Sequence, residues 1–154
     1  MSTATINCTI DGKEELERKL QTITANMRGQ TALNAVTAGG ATVDENAKIN
    51  IQNVFSDKQH FGGGLAGSIT VETGTDEGGA YAIIAPHKVY ARIQEFGGTI
   101  TAKPGGMLKF QIDGQWYQKK QVTLPARPYL GPAVEEHQNE IFEAMKEEIE
   151  RGLQ

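Results

Sequence analysis

Residues 108–124 decide the fold class, and they read Leu-Lys-Phe-Gln-Ile-Asp-Gly-Gln-Trp-Tyr-Gln-Lys-Lys-Gln-Val-Thr-Leu. The first five residues alternate between apolar and polar side chains, as in a strand with one buried face. Asp113-Gly114 then offers the positive-φ pair that a two-residue turn requires. The sequence therefore predicts a β-hairpin, with a returning strand from Trp116 to Leu124.

The two faces of this hairpin are not cleanly divided into apolar and polar. A two-residue turn places Tyr117 opposite Phe110, so Trp116 lies on the other face beside Gln111, and later apolar residues share the parity of Trp116. Both faces therefore carry apolar area. Either a bulge shifts the phase of the strand, or a neighbouring subunit covers one face.

Two helical patterns precede the hairpin, after a short predicted strand or arm over residues 1–10. Asp11 is predicted to cap the first helix, with Glu14 completing a capping box. The second pattern runs from about residue 30 to 53, and Gly39-Gly40 in its middle indicates a close helix crossing, a kink or a functional hinge. The apolar faces are Leu16, Leu20, Ile23 and Met27 in the first helix, and Leu33, Val36, Gly40, Val43, Ala47 and Ile51 in the second.

Two glycine-rich stretches, residues 54–67 and 98–106, are predicted to be exposed loops. The first contains Gly62-x-Gly64-x-x-Gly67, which resembles a dinucleotide fingerprint. Such a fingerprint must follow a strand and open a helix, whereas this one follows a helix and precedes a strand over residues 68–73. The sequence therefore predicts a mobile loop here and not a nucleotide site.

The remaining segments complete an α+β pattern. A strand over residues 80–85 precedes a short helix that Pro86 opens and Gly97-Gly98 ends. Three prolines within 125–132 break the strand that follows, and a final acidic helix begins at Ala133, with Val134, Ile141, Met145 and Ile149 facing inward. We expect one domain over residues 1–154: a mostly antiparallel sheet with a β-hairpin, packed against two N-terminal helices and a C-terminal acidic helix.

The net charge of −4 conceals a strong division along the chain. Residues 86–131 carry seven Lys and Arg against two acidic residues, whereas residues 132–154 carry two against seven. A basic segment between acidic ends suits contact with nucleic acid, or contact with the acidic tail of a neighbouring copy. The acidic isoelectric point of about 5.4 favours self-association.

Residues for catalysis or metal binding are not arranged in any familiar pattern. His60, His87 and His137 have no second ligand at helical spacing, and Cys8 stands alone without a nucleophile motif. We therefore expect no enzyme activity, no metal and no cofactor. The N-terminus lacks a signal peptide and no apolar run reaches membrane-spanning length, so we expect a soluble intracellular product.

Three segments resemble one known family in their order and spacing. They are residues 64–69 (Gly-Leu-Ala-Gly-Ser-Ile), 89–99 (Val-Tyr-Ala-Arg-Ile-Gln-Glu-Phe-Gly-Gly-Thr) and 124–133 (Leu-Pro-Ala-Arg-Pro-Tyr-Leu-Gly-Pro-Ala). Together they resemble the minor tail-component and neck proteins of tailed bacteriophages, the head–tail joining group that includes tail-completion proteins. The resemblance covers about residues 12–150. Gly98 departs from the pattern, because Thr often follows the first glycine directly in that family.

The resemblance implies a structural virion protein, assembled in the cytoplasm of the bacterial host. Its partners would be copies of itself in a ring, with a hexamer favoured over a dodecamer, together with head-closure or connector proteins and tail terminator or tail tube proteins. Genomic DNA would pass through the ring without sequence-specific binding. The alternatives are a tail terminator that caps the tail tube, or a nucleic-acid-binding module that uses residues 86–131.

Two groups of residues are candidates for contacts in such an assembly. Arg127 is predicted to bind a carboxylate across a subunit boundary, beside Tyr129 on a proline-stiffened segment; the alternative is an internal pair with Glu95. The candidate interface comprises Lys88, Arg92, Glu95, Arg127, Tyr129, Glu147 and Glu148. The candidate lumen or partner loops contribute Lys58, Gly62, Gly63, Gly64, Thr101, Lys103 and Gly105.

Overall fold

A computed structural model describes residues 13–55, 63–112 and 114–153. Six helices run in chain order: α1 (Lys13–Asn26), α2 (Ala32–Val54), α3 (Gly63–Ala66), α4 (Ala91–Phe96), α5 (Leu130–Glu135) and α6 (Gln138–Gly152). Six strands accompany them: β1 (Ile69–Asp76), β2 (Gly79–Pro86), β3 (Gly98–Thr101), β4 (Leu108–Ile112), β5 (Gln115–Lys119) and β6 (Gln121–Leu124). The α+β class is confirmed. The predicted strand over residues 3–10 and the Asp11 cap lie outside the described residues.

Helix α2 is the centre of the fold, because it packs against α6 and α5 as well as against β1 and β2. Its apolar face follows the predicted spacing, with Val43, Ala47 and Ile51 buried in the core. Gly39 and Gly40 lie where α2 meets its neighbours on two sides. A Cβ at Gly39 would meet the Met145 side chain of α6 at 2.9 Å, and one at Gly40 would meet Val71 of β1 at 2.8 Å. The glycine pair therefore marks a close crossing, one of the predicted alternatives.

The strands form three separate antiparallel ladders: β1 with β2, β3 with β6, and β4 with β5. The predicted hairpin register is confirmed, because Phe110 pairs with Tyr117 and Gln111 pairs with Trp116. The Phe110 and Tyr117 rings stack at a centroid distance of 5.9 Å. Such cross-strand aromatic pairs stabilise a two-stranded ladder that has one face exposed to solvent.

The predicted returning strand from residue 116 to 124 needs correction, because it is two strands separated by a bend at Lys120. The second, β6, leaves the hairpin and pairs with β3, with Ile100 opposite Val122. The predicted loop over residues 98–106 therefore begins with a strand. This bend shifts the phase, so Val122 is half-buried while Trp116 remains 72% exposed.

Helix α1 forms as predicted but does not pack on a sheet. Its main contacts are with the turn over residues 27–31, where the backbone kinks at Gly29 (φ −99°, ψ −112°). Its apolar stripe stays open to solvent, with Leu16 58%, Leu20 53% and Ile23 43% exposed. An amphipathic helix that leaves its apolar stripe in solvent forgoes the main source of helix stability in proteins.

Three further boundaries differ from the sequence prediction. Pro86 ends β2 and does not open a helix, and α4 begins only at Ala91. The final helix is broken at residues 136–137 into α5 and α6, so that Ala133 is buried in the core and Val134 is 42% exposed. Within the predicted loop 54–67, residues 63–66 form α3, because Leu65 is fully buried in the core.

The glycine pair of α2 yields a comparison between two matched variants. Alanine adds about 1 kcal/mol of helix propensity at either position. At Gly39 the flexible Met145 side chain can move aside, so we expect little net change. At Gly40 the new methyl meets branched Val71 and also the Cβ of Ala82 at 3.2 Å, so overpacking of about 1–3 kcal/mol should outweigh the propensity gain. The free energy of unfolding measured in urea should therefore be lower for Gly40→Ala than for Gly39→Ala, and the reverse order would contradict this packing.

Candidate functional site

The Glu95 carboxylate of α4 binds the backbone at the start of α5. It accepts hydrogen bonds from the N–H groups of Tyr129 (2.9 Å), Leu130 (3.0 Å) and Gly131 (2.8 Å). The first turn of a helix leaves its N–H groups without intrahelical partners, and a carboxylate there also suits the positive helix end. The next residue, Pro132, has no N–H to satisfy. Glu95 therefore completes the start of α5 from a distant part of the chain.

Other contacts strengthen the junction between the two motif segments 89–99 and 124–133. The backbone N–H of Arg127 donates to the carbonyl of Gln94 at 2.7 Å. Gly97 ends α4 at φ +67°, and a Cβ there would lie 2.6 Å from the Ala126 nitrogen. Only glycine tolerates both the left-handed conformation and this approach. The residues that carry the family resemblance therefore hold each other together.

Tyr129 lies at the centre of this junction and is only 1% exposed. Its backbone carbonyl accepts a hydrogen bond from the Asn50 side chain of α2 at 3.1 Å. Burial of the phenol, reinforced by the charge of Glu95 and by Tyr90, raises the pKa of Tyr129 to about 12. The expectation that Tyr129 is presented to a neighbouring subunit needs correction, since this side chain belongs to the core of its own chain.

A groove of about 500 Å³ opens between α4 and α5, and we call it the α4–α5 groove. It brings together four residues of the predicted interface: Lys88, Arg92, Glu95 and Tyr129. Lys88 and Arg92 are exposed at its sides, and Phe96 contributes an apolar wall that is 74% exposed. The groove can therefore bind an apolar group that carries or adjoins a negative charge.

The other predicted interface residues lie elsewhere. Arg127 is exposed, and its guanidinium carbon lies 5.5 Å from the centre of the Phe55 ring. The predicted internal alternative, an ion pair between Arg127 and Glu95, does not form among the described residues, because Glu95 serves the backbone of α5. Glu147 and Glu148 are on α6 and do not line the groove; Glu148 pairs with Arg151 in its own helix.

The predicted lumen or partner loops are divided in the same way. Thr101, Lys103 and Gly105 meet around a depression of about 360 Å³, together with Lys120. Gly63 and Gly64 belong to α3, while Lys58 and Gly62 lie outside the described residues. The loop after β3 therefore offers an exposed basic surface, whereas α3 is anchored in the core through Leu65.

Two observations on the described part of the chain concern metal ions and membranes. No three His, Cys, Asp or Glu side chains there converge in a way that would hold a metal ion. None of the helices described combines the length and the apolar character that crossing a bilayer requires.

Removal of the Glu95 carboxylate should destabilise the fold. Glu95→Gln keeps one acceptor oxygen but turns an NH₂ group toward backbone donors, and a buried donor without a partner costs about 1–3 kcal/mol. We therefore expect a loss of about 2 kcal/mol in urea unfolding. Glu143→Gln is the matched control, because Glu143 forms only an exposed pair with Lys146 that is worth at most about 1 kcal/mol. Equal effects of the two variants would contradict the proposed role of Glu95.

The buried phenol predicts a loss of stability at alkaline pH. The folded-state pKa of Tyr129, about 12, lies above its ordinary value of 10.0. The neutral phenol therefore contributes its full stabilisation below pH ~10. The free energy of unfolding then falls as the pH rises from ~10 through ~12, by up to about 3 kcal/mol. Tyr129→Phe should remove this part of the pH dependence, whereas Tyr117→Phe on the exposed hairpin should retain it. Identical alkaline unfolding profiles for both variants would contradict the assignment.

The chain is similar in sequence to known phage proteins. A model of the phage virion morphogenesis family matches residues 41–150, which include the C-terminal part of α2, the Glu95 junction and most of α6. The putative capsid assembly protein G of Escherichia phage Mu is 33% identical over 93 residues, covering 59% of this chain and 46% of that protein. The chain thus spans about half the length of this relative. No solved structure matches the present chain. Because the family model covers well over half of the sequence, the chain belongs to the phage virion morphogenesis family.

Proposed function

We propose that this virion morphogenesis protein forms a homo-oligomeric ring at the head–tail junction of a tailed phage, as a neck or tail-completion component. The proposal rests on a set of exposed cations that form no ion pair within the described part of their own chain. All seven basic residues of segment 86–131 are exposed, and in the described residues none of them forms an ion pair: Lys88, Arg92, Lys103, Lys109, Lys119, Lys120 and Arg127.

The C-terminal helices supply charge of the opposite sign. Helix α6 carries five glutamates against Lys146 and Arg151. The side-chain hydrogen bond from Lys146 to Glu143 raises the pKa of Lys146, and the charges of Glu143 and Glu150 raise it further. Glu147 and Glu150 form no ion pair in the described part of the chain. One copy therefore carries both members of a complementary pair of surfaces.

Two surfaces of opposite charge on one molecule favour a head-to-tail contact between copies. Such a heterologous contact produces a ring when the rotation closes and a filament when it does not. Charge complementarity would also set the register of the contact and discourage wrong partners. We propose that the contact closes, with a hexamer favoured over a dodecamer, and that Lys88, Arg92 and Arg127 face carboxylates that include Glu147 and Glu148.

We also propose which components of the virion the ring would contact. A ring has two further faces, and we propose that these contact a head-closure or connector protein on one side and a tail terminator or tail tube protein on the other. The basic loop at Thr101, Lys103 and Gly105 is a candidate for the channel or for an adjoining ring. DNA would pass through the channel without sequence-specific contacts. A tail terminator that caps the tail tube is the nearest alternative.

The same unpaired cations also suit a nucleic-acid-binding module, and salt distinguishes the two functions. Binding that neutralises several phosphates weakens steeply as salt rises, because counterions are released. If the free protein binds duplex DNA at about 50 mM salt and its affinity falls steeply as the salt concentration rises, the nucleic-acid function is favoured. Failure to bind under those conditions favours the structural role.

Substitution of Arg127 should separate assembly from folding. Among the described residues, the Arg127 guanidinium lies over the aromatic ring of Phe55, an interaction worth about 0.5–1 kcal/mol, so Arg127→Ala should fold nearly normally. Loss of an interface arginine should weaken association about tenfold or more. Light scattering after size exclusion, with negative-stain imaging of particles, measures assembly, and Lys48→Ala is the matched control because Lys48 pairs with Asp44. Assembly of Arg127→Ala like the parent would contradict an interface role for Arg127.

A further inference from the structure

The molecule carries two apolar surfaces that its own described residues leave open. The first is the stripe of α1, where Leu16, Leu20 and Ile23 are between 43% and 58% exposed. These residues stand at positions i, i+4 and i+7, so they share one face of the helix. That spacing is the pattern by which an amphipathic helix binds a hydrophobic groove. Helix α1 therefore presents the features of a docking helix.

The second surface is a cleft of about 440 Å³, which we call the arm cleft. It lies among α4, the β3–β6 ladder and the β4–β5 hairpin, and its apolar lining includes Ile100, Leu108, Phe110, Ile112, Val122 and Leu124. The bend at Lys120 creates it, because β6 turns away from the hairpin and brings its apolar residues to face β4. Ile112 is 52% and Ile100 39% exposed, so the cleft is open to a partner.

We propose that helix α1 of one copy docks in the arm cleft of the neighbouring copy. This inference rests on the proposed ring and adds an apolar contact to the charged contact between copies. Each copy would donate one helix and receive one, which is the arrangement of a heterologous interface. The three apolar residues of α1 would enter the cleft between β4 and β6, where they would be removed from water together with its lining.

Charge supports a second copy of this chain as the occupant. The first turn of α1 carries Glu14 and Glu15 after Lys13, and no basic residue lies in its last turn. Glu15 pairs with Lys19 of the same helix at 2.9 Å, whereas Glu14 forms no ion pair among the described residues. The arm cleft is bordered by Lys109 and Arg127, which form no ion pair among the described residues. The Glu14 carboxylate therefore complements the basic border of the cleft, while the apolar stripe complements its apolar lining.

Mixed disulfide formation tests this contact directly. In a Cys8→Ser background, Leu20→Cys and Ile112→Cys are made as separate proteins, and their oxidised mixture is compared with each protein alone. The proposal predicts a crosslinked heterodimer that forms faster in the mixture than either homodimer does alone, in concentrated protein or in assembled particles. Absence of the mixed product in both settings would overturn it. If both substitutions in one chain give an intrachain bond at high dilution, α1 docks in its own cleft, and the proposal fails.

Assembly of charged variants provides the second measurement and separates this inference from the ring itself. Leu20→Glu and Ile112→Glu alter exposed side chains, so both should fold, and each should weaken association about tenfold. Ile83→Glu is the control, because Ile83 is also 52% exposed but lies on β2 outside both surfaces. If both variants form rings like the parent, the docking contact is wrong and the ring stands. If imaging of assembled particles detects no ring of the parent protein, the proposed function fails with it.

Discussion

The structure depends on one carboxylate at the junction of two sequence-distant segments. Glu95 supplies the acceptors for three N–H groups at the start of α5, and it does so from the short helix α4. Helix α4 also forms one wall of the α4–α5 groove and, through Ile93 and Gln94, one wall of the arm cleft. A single interaction therefore positions both surfaces. Without it, the start of α5 would leave donors unpaired in a partly buried site, which costs more than an exposed hydrogen bond gains.

The local features were predictable from the sequence, and the distant pairings were not. The two-residue turn expected from the sequence predicted the hairpin register, and the spacing of Val43, Ala47 and Ile51 identified the buried face of α2. The pairing of β3 with β6 joins two four-residue strands about 20 residues apart, and such short strands carry little periodicity. The role of Glu95 was missed for a related reason. Its partners are backbone groups, which leave no residue-type signature, although α5 begins without a capping side chain and thus required an acceptor from elsewhere.

Exposed apolar area connects this fold to its membership in a virion morphogenesis family. The unequal faces of the hairpin already indicated a phase shift or cover from outside, and the bend at Lys120 supplies the shift while Trp116 stays 72% exposed. Helix α1, the first helix of the described chain, adds a second open apolar surface. Isolated exposed hydrophobic residues are ordinary, but a stripe at helical spacing and a lined cleft on one molecule are features of a building block. These surfaces are therefore the features on which the proposed structural role rests.

Hydrogen exchange of three backbone amides tests whether the Glu95 carboxylate joins α4 to α5. The amides of Tyr129, Leu130 and Gly131 precede any intrahelical hydrogen bond of α5, so without Glu95 they should exchange rapidly like other helix ends. In the parent protein we expect all three amides to exchange slowly and together, at rates close to those of the buried α2 amides of Ala47 and Ile51. Rapid exchange of these three amides while α2 stays protected would contradict it.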